Sequence, residues 1–276
     1  MKTKVFVIML ALFVSGFAAR GTEANKPAGA KSEPITDVNT IINKANIVAY
    51  YQAADGMARV NMNIIDSQGR QRGREFNILR KDVNDGGDQK YFVYFIRPSD
   101  VRETVYMVHK HTSLDKDDDR WLYSPGLDLV RRIAASDKRT SFVGSDFLYE
   151  DVSGRNLAED THELIKTTDE HYVVRNVPKR KDTVEFSYYD VWIDRENFVP
   201  MKMEFYNKND KLYRVIESQK VEMIQDYPTV VRSVVKNLDT GGTTEMEFSN
   251  VKYDIGLKDD IFTEQYLRRP PREAIR

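Results

Sequence analysis

The sequence predicts a mainly β protein with a few helices, laid out as a long antiparallel meander that has to curl. Three observations lead there. From Met57 onward, apolar residues recur with period two in one run after another. The runs are joined by turn chemistry, such as Ser67-Gln68-Gly69, Asn207-Lys208-Asn209-Asp210 and Asp239-Thr240-Gly241-Gly242. The 15 Tyr and 13 Phe, set against only 14 Gly, suit a well-packed β body. One amphipathic helix is too little to cover both ends of such a sheet, so the sheet is expected to curve around something.

The first residues read as an address. Lys2 and Lys4 precede the apolar run Val5 to Val14, and Ser15-Gly16-Phe17-Ala18-Ala19 supplies small residues for a cut after Ala18. The run is shorter than the ~20 residues that span a bilayer. Residues 1–18 are therefore expected to be a cleaved export signal. Residues 19–35, rich in Ala, Gly, Lys, Ser and Pro, are expected to be a flexible tether.

A single domain is predicted over 36–267. Thr36 can cap a helix, with Asp37 in its first turn; Val38, Ile41, Ile42, Ala45, Val48 and Ala49 follow at helical spacing, and Gly56 closes it. The strands of the first half are Ala58–Ile64, a run around Phe76 and Ile78, the continuous apolar stretch Tyr91–Ile96, and Thr104–His109. Those of the second half are Glu163–Thr167, Tyr172–Val177, Thr183–Ile193, Met201–Tyr206, Lys211–Ile224, Thr229–Leu238 and Thr243–Tyr253. Residues 268–276, with Arg268-Arg269-Pro270-Pro271-Arg272, form a basic tail that reads as solvated.

Composition removes several functions. With 42 basic and 43 acidic residues, the net charge of −1 gives no electrostatic pull toward nucleic acid or acidic lipid. The absence of cysteine excludes disulfides, thiolate zinc sites, a Cys nucleophile and a lipid-modified cysteine. His109-x-His111, followed by Asp115, Asp117, Asp118 and Asp119, imitates a metal site. Arg120 and Gly126, however, stand where a calcium loop needs its glycine and its bidentate Glu, so the segment reads as a charged hairpin tip. His162-Glu163 starts no zinc-protease motif, because Lys166 occupies the second histidine position and the segment alternates like a strand. Gly144-Ser145-Asp146 lacks the second glycine of a nucleophile elbow. No metal, no cofactor and no catalysis are predicted.

Two sets of residues remain as site candidates. Ala58, Val60, Met62 and Ile64, with Met201, Met203 and Phe205 and with Met246 and Phe248, occupy alternating positions that a curved sheet turns inward. Methionine suits an adaptable apolar pocket, and plain core is the competing reading. The second set lies in the unusual stretch from Trp121 to Asp151. Trp121 and Tyr123 precede the break at Pro125-Gly126. Arg131 and Arg132 are neighbours, so on a strand one is expected to enter the interior and meet Asp146, Glu150 or Asp151; Phe147 belongs to the same loop. An ion-paired corner and a gate on the sheet's open side are the two readings of this stretch.

The run W-L-Y-S-P-G-L-D-L-V-R-R-I-A-A-S-D-K-R-T-S-F-V-G-S-D-F-L-Y-E-D, Trp121 to Asp151, resembles the signature of outer-membrane lipoprotein-sorting (LolA/LolB-like) proteins. So do D-V-x-x-I-I-x-K-A-N, Asp37 to Asn46, and I-F-T-E-Q-Y-L, Ile261 to Leu267. More narrowly the chain resembles the larger branch found beside RND-type exporters. The resemblance implies an incomplete, strongly curved antiparallel β-barrel closed by helices around an apolar cavity, which in the carriers holds lipoprotein acyl chains. It implies a periplasmic, monomeric carrier or chaperone with lipid or lipoprotein acyl chains as ligand. The alternative is a non-carrying accessory subunit docked on an inner-membrane RND-type exporter. The chain departs from the membrane receptor LolB in lacking the lipidated cysteine, and none of the carriers' ligand or lid residues maps onto a numbered position here.

Overall fold

The computed structural model describes residues 33–275. The expected export signal and nearly all of the expected tether lie outside them. The chain begins with α1 (Val38–Tyr50), capped by Asp37, whose carboxylate accepts from the amides of Asn39 and Thr40. The cap thus falls one residue after Thr36. The carboxylate of Asp37 reaches two free amides, and its charge is favourable at a helix N-terminus.

Thirteen strands follow. The first six are β1 (Asp55–Ile65), β2 (Gln71–Asp82), β3 (Gln89–Arg97), β4 (Val105–Lys110), β5 (Asp119–Ser124) and β6 (Leu129–Arg132). After a long connection containing α2 (Tyr149–Ser153) come β7 (Asp160–Thr167), β8 (His171–Pro178), β9 (Phe186–Asp194) and β10 (Pro200–Asn207). β11 (Leu212–Ile224), β12 (Tyr227–Asn237) and β13 (Gly242–Tyr253) complete the set. The chain then runs through α3 (Glu264–Arg268) and α4 (Arg272–Ile275).

All thirteen strands join one antiparallel sheet in the order β6-β5-β4-β3-β2-β1-β13-β12-β11-β10-β9-β8-β7. It consists of two meanders married at a single non-sequential pair, β1 with β13, where Val60 faces Phe248 and Met62 faces Met246. The sheet is not closed: β6 and β7 are its edges. The segment 133–159 connects these two edges, so it has to cross the open side. It does so on the inside. Phe142 packs its ring against Phe76, Phe95, Tyr106 and Tyr149 at centroid distances of 5.5–6.0 Å. With Ile133, Phe147 and Tyr149 it forms one core with the inner faces of β1 to β4.

The other face of β2 to β5 is also dry. Leu79, Phe92, Val105, Met107 and Trp121 meet Leu257, Ile261, Phe262, Leu267 and Ala274 from the C-terminal segment. This is why Tyr91 to Ile96 is apolar without alternation: the strand is covered on both faces. The basic tail is accordingly not free. Ala274 is fully buried and its carbonyl accepts from Asn77 Nδ2 at 2.9 Å, while Arg268 reaches Asp128 at 2.9 Å. The arginines stay in water and the small and apolar positions between them pack.

Candidate functional site

Between α1 and the second meander the interior is not filled. A cavity of about 450 Å³ is lined by Ile42 and Ala45 of α1, Val174 and Val191 of β8 and β9, Met203, Phe205 and Ile216 of β10 and β11, and Met246 and Phe248 of β13. Ala58, Phe76 and Val93 bound it on the side of the first meander. Side chains from nine strands lining one space require the sheet to be strongly curved. The volume lies within the range of roughly 300–1,000 Å³ typical of small-molecule sites.

Helix α1 forms one wall because its stripe of Ile41, Ile42 and Ala45 is buried in a cluster with Tyr172, Val174, Phe186 and Ile193. Its C-terminal end is fixed by Arg80. One guanidinium nitrogen donates to the carbonyl of Tyr50 at 2.7 Å; the other donates to those of Gln52 and Ala53 at 2.5 and 2.8 Å. Gln52 spends both amide hydrogens on the carbonyls of Val48 and Pro228. Gly154, at φ 77°, meets this end of the helix. A Cβ there would lie 2.4 Å from the Tyr50 ring, so only glycine lets the crossing segment pass.

One end of the cavity is charged. Glu150, 3 % exposed, is surrounded by Lys138 at 3.1 Å, Arg155 at 3.4 Å and Arg139. Arg139 also grips Glu185 at 2.7 Å, and Arg155 grips Asp160 at 2.9 Å and Glu159. Tyr189 donates to Asp160 at 2.9 Å, and Arg214 binds Asp151. Burial by itself would raise the Glu150 carboxyl, but the surrounding cations outweigh it and hold the group at about 2. Burial, reinforced by Asp151 and Glu150, pushes the Tyr50 hydroxyl far up, so it stays protonated. The guanidinium groups of Arg139 and Arg155 also lie over the Phe186 ring at 4.8 and 5.5 Å, and that of Arg214 over Phe205 at 5.2 Å.

The structure divides the sequence candidates. Ala58, Met203, Phe205, Met246 and Phe248 line the cavity. Val60, Met62 and Ile64 point to the same side of the sheet but are packed solid beneath the crossing segment. Met201 sits at a register shift between Pro200 and Lys202, and Pro200 takes the wall position instead. Of the loop candidates, Phe147 and Glu150 reach the cavity. Asp146 accepts from the Thr244 hydroxyl at 2.8 Å. Trp121 and Tyr123 face outward toward the C-terminal segment.

Neither Arg131 nor Arg132 enters the interior. Both lie on the four-residue edge strand β6 and are exposed on either face; Arg132 pairs with Asp119. Interior arginines among the described residues include Arg139, Arg155 and Arg214, and Arg120 of β5, 2% exposed and paired with Asp118 at 2.5 Å; sequence reasoning missed them along with Tyr50, Gln52 and Tyr189. His109 donates from Nε2 to the carbonyl of Phe262, 2.8 Å away, while His111 is held between Asp88 at 2.8 Å and Asp119 at 3.2 Å. The two rings therefore serve different partners. Among the described residues no group of three His, Asp or Glu side chains is arranged to hold a metal.

A family model described only as that of an uncharacterized protein matches residues 87–269. A search of curated proteins finds no match. Among solved structures, a DUF1329 family protein from Desulfovibrio piger is 29% identical, covering 83% of this chain and 98% of its own, with a TM-score of 0.76. A domain assigned to outer-membrane lipoprotein sorting, from Vibrio parahaemolyticus, is 26% identical over 84% of this chain and 98% of its own, also at 0.76. The chain belongs to the LolA-like family. A LolA superfamily protein from Nitrosomonas europaea shares the fold at a TM-score of 0.65, with 19% identity over 84% of this chain and 100% of its own. In this LolA-like chain the signature stretch from Trp121 to Asp151 has a structural meaning. It runs from strand β5 through the edge strand β6 into the segment that crosses the open side, and its last residues form the charged end of the cavity.

Proposed function

We propose that the protein is a periplasmic carrier or chaperone that holds acyl chains of a lipid or lipoprotein for delivery to the outer membrane. The observation that carries this reading is the apolar cavity between α1 and the second meander, walled by adaptable methionines and aromatics. Ten buried methylenes would contribute about 8 kcal/mol before the costs of association, enough for useful binding in a modest volume. The Vibrio parahaemolyticus relative assigned to lipoprotein sorting supports the same class of ligand. The predicted export signal supports the compartment.

The test has two parts. Native mass spectrometry of gently purified protein should reveal acyl-bearing adducts, and a fluorescent acylglycerol should be taken up by the emptied protein. Met203→Trp, which fills the cavity from β10, should reduce uptake by at least tenfold while leaving the circular dichroism spectrum and melting temperature nearly unchanged. Apo mass only, with no uptake by the wild type, rejects the reading.

A further inference from the structure

The charges of the cavity wall indicate what kind of head the ligand carries, an inference that rests on the carrier reading. Each charged side chain in the wall already has its counter-ion. Arg80 is bonded to Asp82 at 2.8 Å, Arg139 to Glu150 and Glu185, Arg155 to Glu150, Glu159 and Asp160, and Asp151 to Arg214. Among the described residues that line the cavity, no cation is left over to neutralise an anion brought inside; Lys110, behind the Tyr50 ring, is outside the lining and donates to the carbonyl of Ser153 at 2.6 Å. Burying an anion there would leave it unpaired, or would break a buried pair to find it a partner.

Arg139 also lines a second space, a groove of about 620 Å³ that opens between the crossing segment, the loop joining β8 to β9, and strands β11 and β12. This groove is rich in hydroxyls, and their protons are already committed. Ser141 donates to the carbonyl of Ser145 at 2.6 Å, Thr140 to that of Asp137 at 2.8 Å, and Thr183 to that of Arg180 at 2.8 Å. What these hydroxyls present to the groove is lone pairs. Asp182 and Glu185 add further acceptors. Its charged residues are Arg139 and Arg214, each ion-paired, against Asp146, Asp182 and Glu185, so the groove is acceptor-rich and slightly acidic, and it adjoins an apolar cavity through the shared Arg139.

We propose that the groove is the headgroup subsite of the carrier, and that the ligand is an electroneutral amphiphile whose head donates hydrogen bonds through hydroxyls, not one that carries a phosphate or carboxylate. The acyl chain lies in the cavity and the head passes Arg139 into the groove. Phosphate oxygens would meet carboxylates and lone pairs there, whereas hydroxyl protons would be satisfied by them.

A matched pair of ligands tests this. 1-Palmitoylglycerol and 1-palmitoylglycerol 3-phosphate have the same chain and differ in head charge. Each is titrated below its micelle concentration against a bound environment-sensitive acyl fluorophore. The neutral ligand is expected to compete at least tenfold better at pH 7.5. Glu185→Gln removes an exposed counter-ion of Arg139, a position where folding should survive, and is expected to narrow the preference at least threefold by freeing the guanidinium for an anion. Equal competition, or a preference for the phosphate, overturns the headgroup inference and leaves the carrier reading intact. A preference that Glu185→Gln leaves unchanged overturns the role given to the shared arginine. Failure of both ligands to compete overturns the carrier reading with it.

Discussion

The two meanders follow the same antiparallel logic and are finished in opposite ways. Strands β2 to β5 are dry on both faces, filled inside by Phe142, Phe147 and Tyr149 and covered outside by Leu257 to Ala274. Strands β8 to β12 look onto a cavity on one face and into water on the other. On that outer face Tyr188 stacks on Tyr206 at 4.7 Å, Lys202 lies over Trp192 at 3.7 Å, and Lys236 pairs with Glu217 at 2.8 Å. A single sheet thereby separates stability from capacity. The filled half concentrates close packing, and the open half can leave space because its neighbour is solid.

One substitution hollows out the filled half. Phe142→Ala removes a ring that is 1% exposed and touches four other aromatic rings. It should cost about 3–5 kcal/mol in urea unfolding, the range for a large buried side chain truncated to Ala. A cost near 1 kcal/mol would show that the crossing segment is loosely laid in rather than part of the core.

The charged seam between the halves should respond to acid. Glu150 sits at about 2 in the folded protein against an ordinary value of 4.5, so its charged form is favoured by folding. A depressed carboxyl stabilises fully above its unfolded value, and that stabilisation is lost as pH falls from about 4.5 through about 2. The loss attributable to this one group is about 3 kcal/mol. Glu150→Gln should be destabilised at pH 7 by a similar amount, since it leaves Arg139 and Lys138 short of a partner. Its stability should also vary less over that acidic window. A parent-like pH profile in the variant would place the acid sensitivity elsewhere.

Much of this architecture was legible because period-two patterning is local. The strands and the β1 stripe from Ala58 to Ile64 follow from side-chain alternation, and the double burial of β3 shows as unbroken apolarity in Tyr91 to Ile96. What was not legible depends on the crossing segment, whose path joins residues far apart in sequence. It decides that Val60, Met62 and Ile64 are core while Ala58, on the same stripe, borders the cavity. It also brings Glu150 to Arg139 and Asp151 to Arg214, pairs that no spacing rule could select over Arg131 and Arg132. The register shift that displaces Met201 is equally invisible, since a bulge leaves the alternation of Met201, Met203 and Phe205 unaltered in the sequence. The C-terminal segment shows the same limit: its arginines suggested a solvated tail, while Leu267, Pro271 and Ala274 between them are buried.

The finest test uses two residues of one type. Met62 and Met203 both project from the inner side of the sheet; the first is 2% exposed in the filled core, the second lines the cavity. Truncating Met62 to Ala opens a void where there was none, so both the lost transfer energy and the new cavity count, giving about 2–5 kcal/mol. Truncating Met203 to Ala only enlarges a space that already exists. The cavity penalty is then small and about 1 kcal/mol or less is expected, read from the urea midpoint at unchanged m-value. Binding should move the other way: Met62→Ala should keep acyl-probe affinity within about twofold, and Met203→Ala should change it severalfold, because that side chain lines the cavity. If the two variants lose equal stability, Met203 is as tightly packed as Met62, and the second half of the sheet is as solid as the first.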